Sequence, residues 1–444
     1  MKRRDVLGFM GGAGVSWSAS PAAASAASSA GGSMAQRVVI VGGAWAGLSA
    51  ACELRLRAPE LDVLVVDRDP VMRSLPLSTP WLVGRTPERM PRLDRAALAN
   101  QLGYRFVAAD VQRIDRAQRQ VHTAKGAFDY DWLLVATGLN YDYSPWFGAN
   151  QQAAKAAQES FPAGYVANEL DALKQRLHAF KGGNLLINIP APPSRCPPAP
   201  YERAMLLAWW IKTQGIKGKV SVLDAGGGLP RFTRLFAERY PGLIDFQPYT
   251  VIRSVDPFAR RIVTDDGVVS FDHAMLVPPM RASAMVEQAG LCSLDSQGMT
   301  SPWAAVDPLR LRSLVDERVF LAGDLLGTVS PLFGHYPKTA HMATRLGMAV
   351  ARQIAARSRD GSAEPFMNLP VSICHIWLDA DPAEQLRIET TYRLRGDGVI
   401  AQAMNQHDNP QPRDEDLQWG LGLYAQALGA NLERLTTEWS KPRP

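Results

Sequence analysis

The sequence predicts an α/β protein with two Rossmann-like domains, the first split by insertion of the second, and a C-terminal α+β domain. Two observations predict this fold class. A strand–helix–strand pattern begins at Arg37 and recurs at 185–224. Two further buried strands, at 132–138 and 319–324, end in small-residue turns. Since strands that alternate with helices form parallel sheets, the expected boundaries are 36–150 with 305–365 for the split domain, 151–304 for the inserted domain and 366–444 for the last domain.

The composition is that of an ordinary globular protein. The chain has 444 residues, 46% of them hydrophobic and 20% charged, which is enough for two or three domains with proper cores. The net charge is +5, and no long basic run alternates with aromatic residues, so nucleic acid is not an expected partner. The four cysteines are too few and too scattered for a disulfide scaffold or a zinc site, and no metal is expected.

Residues 1–33 are predicted to be an export signal outside the fold. Arg3-Arg4-Asp5-Val6-Leu7 resembles the twin-arginine signature, and an Ala/Ser/Gly-rich stretch follows; a disordered basic terminus is the alternative. Twin-arginine export carries folded proteins, so we expect a periplasmic protein whose cofactor is inserted in the cytoplasm and in which a disulfide can persist. Elsewhere no run reaches the roughly 18 apolar residues of a membrane span, so none is expected.

The turn between the first predicted strand and the first helix carries a ligand signature. Residues 42–47 read Gly-Gly-Ala-Trp-Ala-Gly and lie between strand 38–41 and helix 45–56. This is the dinucleotide fingerprint with its second glycine replaced by Ala44. Asp67 ends the next strand, where an acid meets a ribose hydroxyl. We therefore expect the split domain to bind a dinucleotide.

The inserted domain carries a cysteine among prolines, where a nucleotide-binding domain would have glycines. Residues 195–203 read Arg-Cys-Pro-Pro-Ala-Pro-Tyr-Glu-Arg and lie between a predicted strand, 184–190, and a predicted helix, 201–212. Prolines fix φ and remove N–H groups, so this loop would not wrap a pyrophosphate. Such crossovers face the ligand crevice, and the helix N-terminus with the two arginines is expected to favour the thiolate of Cys196.

The C-terminal domain is predicted to begin with a strand at 371–377 that contains Cys374. A turn at 395–398 and a polar loop at 405–416 follow, and a last helix is expected from Leu417 to about residue 435. No Cys-x-x-Cys-His motif occurs, so this chain is not expected to carry a c-type haem.

Two features together resemble a known family. The octapeptide Cys-Pro-Pro-x-Pro-Tyr-Glu-Arg at 196–203, with Cys374, resembles the flavin-binding subunit of flavocytochrome c sulfide dehydrogenase, and the likeness runs from about Arg37 to the last helix. The turns at 136–138 and 323–324 resemble those of flavoprotein reductases with two dinucleotide-binding domains. The resemblance implies FAD as cofactor, with contacts from Gly42, Gly43, Ala44, Trp45, Ala46, Gly47, Asp67, Arg68, Ser78, Val111, Ala136, Thr137, Gly138, Gly323, Asp324 and Lys338.

The resemblance also implies an activity. In that family, cysteines at the positions of Cys196 and Cys374 form a redox-active disulfide at the flavin, sulfide is oxidised, and electrons pass through FAD to a c-type cytochrome. It thus implies a catalytic role for both cysteines, a small sulfur substrate and, as partner, a c-type cytochrome subunit or soluble cytochrome c. A disulfide is an electrophile, so hydrosulfide can attack one sulfur and release the other as a thiolate; either sulfur is a candidate for the attack.

Two residues depart from the family pattern. Leu75 stands where characterised members have the cysteine that forms a thioether to the flavin, so FAD is expected to bind without a covalent link. Leu423 stands where an aromatic residue is expected near the flavin, with Trp419 and Tyr424 close by. The second departure leaves the identity of the sulfur substrate open.

The remaining candidates each have two interpretations. Glu202 is a candidate catalytic proton acceptor or a plain first-turn acid of a helix. Lys338 is a candidate positive charge near the reduced flavin or a solvated lysine. His375 is expected at the surface, since neighbouring side chains of a strand point to opposite faces. Cys52 and Cys292 are expected to be buried small apolar residues.

Three other functions stay open. The first is a sulfide:quinone oxidoreductase-like enzyme, which needs a membrane-facing apolar helix; the last helix, with Gly420 and Gln426, is a weak candidate. The second is a flavin-binding electron-transfer or assembly partner that does not turn over sulfide, as the departures at Leu75 and Leu423 would allow. The third is an NADH dehydrogenase, which the proline-rich loop of the inserted domain disfavours.

Overall fold

A computed structural model describes residues 35–429 apart from 74, 87–90, 295–296 and 362–367. The predicted export signal at 1–33 lies outside the described residues, as does the end of the predicted last helix beyond 429. The elements before the insertion are β1 (Arg37–Val41), α1 (Trp45–Arg57), β2 (Asp62–Asp67), β3 (Val71–Arg73), α2 (Ser78–Leu82), β4 (Arg92–Asp94), α3 (Arg95–Leu102), β5 (Arg105–Ala108), β6 (Val111–Asp115), β7 (Gln120–Thr123), β8 (Gly126–Asp129), β9 (Trp132–Val135) and β10 (Leu139–Tyr141).

The inserted region forms a sheet of its own, with four parallel strands in the order β13-β12-β11-β17. The cysteine-containing loop joins β11 to α7, as the sequence predicts. The elements of this region are α4 (Ser144–Phe147), α5 (Gln151–Ser160), a 3-10 turn (Ala167–Glu169), α6 (Leu170–His178), β11 (Gly182–Ile189), α7 (Ala199–Thr213), β12 (Lys217–Asp224), α8 (Pro230–Arg239), β13 (Ile244–Gln247), β14 (Ile252–Asp256), β15 (Arg261–Thr264), β16 (Gly267–Ser270), β17 (His273–Met275), β18 (Met280–Ala282), α9 (Ala284–Gln288), β19 (Cys292–Leu294) and β20 (Thr300–Ala304).

The chain after the insertion returns to the first sheet. That sheet has seven strands in the order β21-β22-β23-β9-β1-β2-β5, so strands from both sides of the insertion share it. The α/β prediction with a split first domain is therefore confirmed in its sheet topology, while the residue boundaries of the domains stay predictions. The elements of this part are β21 (Val306–Asp307), β22 (Arg312–Ser313), β23 (Val319–Leu321) and α10 (Ala340–Asp360).

Helix α10 packs closely on α1, which begins at the fingerprint turn. A Cβ atom at Gly347 would lie 2.1 Å from the carbonyl oxygen of Ala46, so the close approach needs a residue without a side chain there. The interiors of the central strands are apolar, and Val38 and Ile40 are completely buried. Continuous apolar strands are typical of a parallel sheet covered on both faces, and this buried sheet holds the turns at its carboxyl edge in place.

The C-terminal region is an antiparallel three-stranded sheet, β24-β25-β26, followed by a helix. The prediction of a polar loop at 405–416 is wrong over the first half of that segment. Residues 400–409 instead form β26, which pairs with β25 over the whole length of β26. Most side chains of this edge strand are exposed, so its sequence lacks the alternation that marks a half-buried strand. The elements are β24 (Ser372–Ala380), β25 (Ala383–Leu394), β26 (Ile400–Asn409) and α11 (Glu415–Leu428). Among the described residues, no helix is both long and apolar enough to cross a membrane.

Candidate functional site

A large cavity of about 890 Å³ opens at the carboxyl ends of the parallel strands, where open α/β sheets bind ligands. Residues from the split domain, the inserted region and the C-terminal sheet line it. Most of the predicted site residues are on its wall: Gly42, Ala44, Trp45, Ala46, Asp67, Arg68, Ser78, Val111, Ala136, Thr137, Gly138, Gly323, Asp324 and Lys338 from the predicted cofactor contacts, together with Cys196, Glu202 and Cys374.

Two of the predicted cofactor contacts, Gly43 and Gly47, are absent from the cavity wall. Both support the fingerprint turn that forms part of this wall. A Cβ at Gly47 would lie 1.9 Å from the carbonyl oxygen of Gly42, so this glycine allows α1 to approach the turn. Gly42 has φ +106°, and a Cβ there would lie 2.4 Å from the carbonyl oxygen of Ala136. The backbone N–H of Gly43 donates to Asp67 Oδ2 at 2.6 Å. These contacts fix the fingerprint turn against the two neighbouring strands.

A residue that the sequence analysis missed completes this end of the cavity. Arg95 is buried and donates to the carbonyl oxygen of Gly43 at 2.6 Å and to that of Asp69 at 2.6 Å. Its guanidinium lies 3.8 Å from Asp67 Oδ2. No motif marks this arginine, because it begins a helix outside the βαβ unit and meets the turn only through the tertiary fold.

The residues at this end fit a dinucleotide such as FAD. Ala44 caps the N-terminus of α1 without a side-chain hydrogen bond, so the protein supplies no polar side chain that competes for the first N–H groups of the helix. Those groups suit a pyrophosphate, and Asp67 at the strand end suits a ribose. The same cavity extends from this turn to both cysteines. A cofactor bound here would thus reach from the fingerprint turn toward the two thiols.

The thiol of Cys196 is held by its backbone. Cys196 adopts φ +46°, in the left-handed region that non-glycine residues rarely occupy, and strain of this kind is common at functional sites. Its N–H donates to the carbonyl oxygen of Lys338 at 3.0 Å, and its own carbonyl accepts from the N–H of Ala199 at 2.9 Å. Arg195 forms an ion pair with Asp324 at 2.8 Å. The proline loop is thereby fixed to the Gly-Asp turn of the split domain.

Cys374 reaches the same cavity from β24 of the C-terminal sheet. All four cysteines are free thiols in this structure, so the disulfide implied by the resemblance stays a prediction. The two cavity thiols lie close enough that ionisation of Cys374 raises the pKa of Cys196. The structure thus brings these two distant cysteines to one cavity, and the catalytic role that the resemblance implies for them stays a prediction.

The expectation of a stabilised thiolate at Cys196 is wrong. Burial raises the pKa of the Cys196 thiol, and the nearby charges of Cys374 and Glu202 raise it further, against a smaller opposing effect of Arg203. Burial likewise raises the pKa of Cys374 to about 12. Neutral thiols are poor nucleophiles, so raised pKa values disfavour a thiolate at either cysteine.

Glu202 is a buried residue of the site and not a solvated first-turn acid. It lies in the first turn of α7, and its Oε1 accepts a hydrogen bond from the backbone N–H of Trp377 at 2.9 Å. This bond joins the helix that follows the Cys196 loop to the strand that carries Cys374. Burial raises the pKa of Glu202 to about 7, which is the range in which a carboxylate exchanges protons at physiological pH.

Lys338 is also buried. Its ammonium group donates to the carbonyl oxygens of Asp324 at 2.8 Å and Leu326 at 3.0 Å, and lies 3.9 Å from the centre of the Trp303 ring. Burial lowers the pKa of Lys338 to about 8. The solvated alternative is therefore wrong, and the cavity wall contains a fixed positive charge close to the cysteine loop.

The surface position expected for His375 is wrong. His375 lines the cavity, its ring lies 5.9 Å from that of Trp419, and burial lowers its pKa. Helices α7 and α11 both pack against β24, and this packing encloses the strand. Leu423 is 3% exposed and lies outside the cavity wall, so the aromatic residue that α11 presents to the cavity is Trp419.

The other two cysteines lie away from the thiol pair. Cys52 is buried in α1, as expected. Cys292 is only half-buried and lines a separate small cleft of about 130 Å³, so its predicted burial is wrong. It begins a short strand at the edge of a two-stranded sheet, which leaves one side open.

Comparisons with known proteins identify flavoprotein oxidoreductases as similar to this chain. Residues 36–170 match the family model "Pyridine nucleotide-disulphide oxidoreductase", and residues 170–278 match "Sulfide dehydrogenase [flavocytochrome c] flavoprotein chain, central". A sulfide-quinone reductase of Aquifex aeolicus (strain VF5) is 24% identical over 345 residues, which cover 72% of this chain and 76% of that protein.

Solved structures show the same fold. The sulfide:quinone oxidoreductase of Aquifex aeolicus has a TM-score of 0.71 at 20% identity and covers 92% of this chain and 96% of its own. The ferredoxin reductase for the CYP199A2 system of Rhodopseudomonas palustris has a TM-score of 0.61 at 18% identity, with 90% and 96% covered. The fold thus matches that of FAD-dependent oxidoreductases, with two Rossmann-like domains of which the first carries the dinucleotide fingerprint. The two family models that match residues 36–170 and 170–278 both describe flavoprotein or disulphide oxidoreductases, so these parts of the chain are similar to that superfamily.

Proposed function

We propose that this protein is an FAD-dependent oxidoreductase that oxidises sulfide through Cys196 and Cys374 and passes the electrons to a c-type cytochrome in the periplasm. The main support is the convergence of both cysteines with the fingerprint turn on one cavity. The match of 170–278, which contains the cysteine loop, to a sulfide dehydrogenase model supports the substrate. The sulfide-quinone reductase relative supports it as well.

The protein side of the reaction follows from the buried pair. In the oxidised state Cys196 and Cys374 form a disulfide, and hydrosulfide attacks one of its sulfurs. The cysteine S–S bond breaks, a new S–S bond to the substrate sulfur forms, and the other cysteine leaves as a thiolate. Glu202 takes up the substrate proton, since its raised pKa suits proton exchange near neutrality. FAD, when bound, supplies the acceptor for the two electrons that oxidation of sulfide to sulfane sulfur releases.

Quinone is the second candidate acceptor. The name of the flavocytochrome family model favours cytochrome c, whereas the names of the Aquifex proteins favour quinone. The protein reduced by sulfide should transfer its electrons to cytochrome c faster than to a soluble quinone. A preference for quinone would replace the cytochrome assignment and leave sulfide oxidation intact.

The substrate assignment is tested by anaerobic addition of sulfide to the purified holoprotein, followed at the flavin absorbance. Stoichiometric bleaching within seconds is expected. If the flavin is reduced by dithionite but not by sulfide, the protein is not a sulfide oxidase, and the non-catalytic electron-transfer alternative takes its place. Reactions without cytochrome c and without quinone serve as the controls for electron transfer from the reduced flavin to the acceptor.

We further propose that the flavin is bound without a covalent link. Leu75 lines the cavity and carries no atom able to form a thioether. Acid precipitation of the protein should therefore release the flavin into the supernatant. Flavin that stays with the washed pellet would contradict this, and tryptic mapping of the flavin-bearing peptide would then identify the attachment residue.

A further inference from the structure

One tryptophan on the cavity wall donates hydrogen bonds to two buried carboxylates. The backbone N–H of Trp377 donates to Glu202 Oε1 at 2.9 Å, and its indole Nε1 donates to Asp416 Oδ2 at 2.9 Å. All three residues are buried, and all three line the cavity that contains the cysteines. Since hydrogen bonds to a charged acceptor are strong, the position of Glu202 is tied through one residue to that of Asp416.

The two carboxylates come from different parts of the chain. Glu202 lies in the first turn of α7, Trp377 lies in β24, and Asp416 lies in the first turn of α11. A carboxylate in the first turn of a helix interacts favourably with the positive end of the helix dipole. Both helices pack against β24, so the arrangement exists only where the inserted region meets the C-terminal region.

The charge of Asp416 acts on Glu202 as well. A nearby negative charge favours the protonated form of a carboxylic acid. Burial raises the pKa of Glu202 to about 7, and the charge of Asp416 acts in the same direction as burial. Hydrogen bonds from Trp377 and Thr79 and the charge of Arg203 act in the opposite direction. Asp416 therefore contributes to the proton affinity that the proposed mechanism requires of Glu202.

The other charged and titratable groups around the two carboxylates have different effects. Arg85 lies 5.2 Å from the centre of the Trp377 ring, and His375 interacts electrostatically with Asp416. The remaining groups of this kind that interact with Glu202 are Arg203, Cys196, Cys374 and Tyr165. Burial lowers the pKa of the histidine and raises the pKa of both thiols and of the phenol, so these four groups are neutral near pH 7. Among these groups, Asp416 is the negative charge that acts on Glu202 near neutrality.

We propose that Asp416 is a positioning residue for Glu202: it anchors Trp377, whose backbone N–H binds Glu202, and it supplies a second negative charge to the same part of the cavity. The inference rests on the proposed function and adds a residue of the C-terminal helix on which proton uptake depends. Asp416 acts through Glu202 and is not itself the proton acceptor.

The first test uses infrared spectroscopy of the oxidised holoprotein and does not require sulfide. Each protein is titrated with acid and compared with the same protein carrying Glu202→Gln, so that the C=O band of the protonated Glu202 carboxyl is isolated. In the wild type this band should appear with a midpoint near pH 7. In Asp416→Asn, which keeps an acceptor for the indole N–H but removes the charge, the midpoint should lie at lower pH.

Two further variants support this titration. Asp416→Ala also removes the charge and introduces no larger side chain, so it should shift the midpoint in the same direction and serves if Asp416→Asn does not fold. Asp414→Asn is the matched control, because Asp414 is exposed at the start of the same helix and accepts from Gln418 Nε2 at 3.0 Å. Its midpoint should equal that of the wild type.

The second test measures the pH dependence of sulfide oxidation. The ratio of kcat/KM with Glu202 to kcat/KM with Glu202→Gln should fall about tenfold from its plateau to pH 6 in the wild type. In the Asp416→Asn background the same fall should be only about two- to fourfold. A purely structural role of Asp416 would lower kcat/KM equally at every pH and would not change this profile.

The two tests together separate this inference from the proposed function. An unchanged infrared midpoint in Asp416→Asn would overturn the role of Asp416, and so would a shifted infrared midpoint with an unchanged kinetic profile. A shifted infrared midpoint in a protein that fails to oxidise sulfide would retain the link between Asp416 and Glu202 and reject the proposed function.

Discussion

Replacement of Cys196 by serine is expected to abolish reduction of the flavin by sulfide. The serine keeps the size and the backbone contacts of the loop but cannot form a disulfide with Cys374. Without that disulfide hydrosulfide has no electrophilic sulfur to attack. The rate of sulfide-dependent bleaching should fall by about a thousandfold or more, as losses of a reacting group generally do. Anaerobic stopped-flow absorbance measures this rate.

Two controls make the Cys196→Ser result specific. Dithionite should still reduce the flavin of the variant, which shows that the cofactor is bound. Cys292→Ser is the matched replacement, because Cys292 is half-buried in a separate small cleft, and it should retain the wild-type rate. Undiminished sulfide reduction in Cys196→Ser would reject the disulfide route.

The second large effect is expected for Glu202→Gln. The amide keeps an acceptor for the Trp377 N–H but cannot take up a proton. Because burial raises the pKa of Glu202 to about 7, the wild-type carboxylate is the active base above that pH and is protonated below it. At pH 8 the variant should therefore have kcat/KM lower by about 10²- to 10⁴-fold, the usual contribution of a general base.

The pH dependence of the same variant distinguishes ionisation of the enzyme from ionisation of the substrate. Sulfide itself ionises near neutrality, but this cancels in the ratio of wild-type to variant kcat/KM. The ratio should be constant above about pH 7 and fall about tenfold per unit below it, as Glu202 becomes protonated. Glu169→Gln is the control, since burial also raises the pKa of Glu169 to about 7. A ratio that does not change with pH would remove Glu202 as the base.

The parallel strands could be predicted from the sequence because buried strands consist mostly of apolar residues. Strands β1, β9 and β11 are rich in apolar residues. Strands β1 and β11 end within one residue of the predicted boundary, whereas β9 ends at Val135, before the small-residue turn that closes the predicted segment 132–138. Strand β26 could not be predicted, because an exposed edge strand can consist of polar residues and is held by its pairing with β25. The hydrophobic pattern of the sequence therefore reveals buried strands but not an exposed strand of this kind.

The candidate site also combines features that the sequence reveals with features that only the tertiary fold creates. The fingerprint turn is a sequence motif, whereas the pairing of Cys196 with Cys374 is implied only by the resemblance to the flavocytochrome family. The pKa shifts in the site could not be predicted, because they depend on burial by other parts of the chain. Burial raises the pKa of the Cys196 thiol despite the two arginines, and enclosure between α7 and β24 raises the pKa of Glu202. Arg95 and Tyr165 belong to the cavity only through the tertiary fold, and no local signal marks either.

The pairing of the two thiols is tested most directly by mass spectrometry of the air-oxidised holoprotein, digested without reduction after free thiols are blocked. One disulfide-linked peptide pair that contains Cys196 and Cys374 is expected, and one equivalent of sulfide should convert it to separate peptides, one of them carrying an additional sulfur atom. Blocked thiols at both positions in oxidised, sulfide-reactive protein would contradict the proposed mechanism.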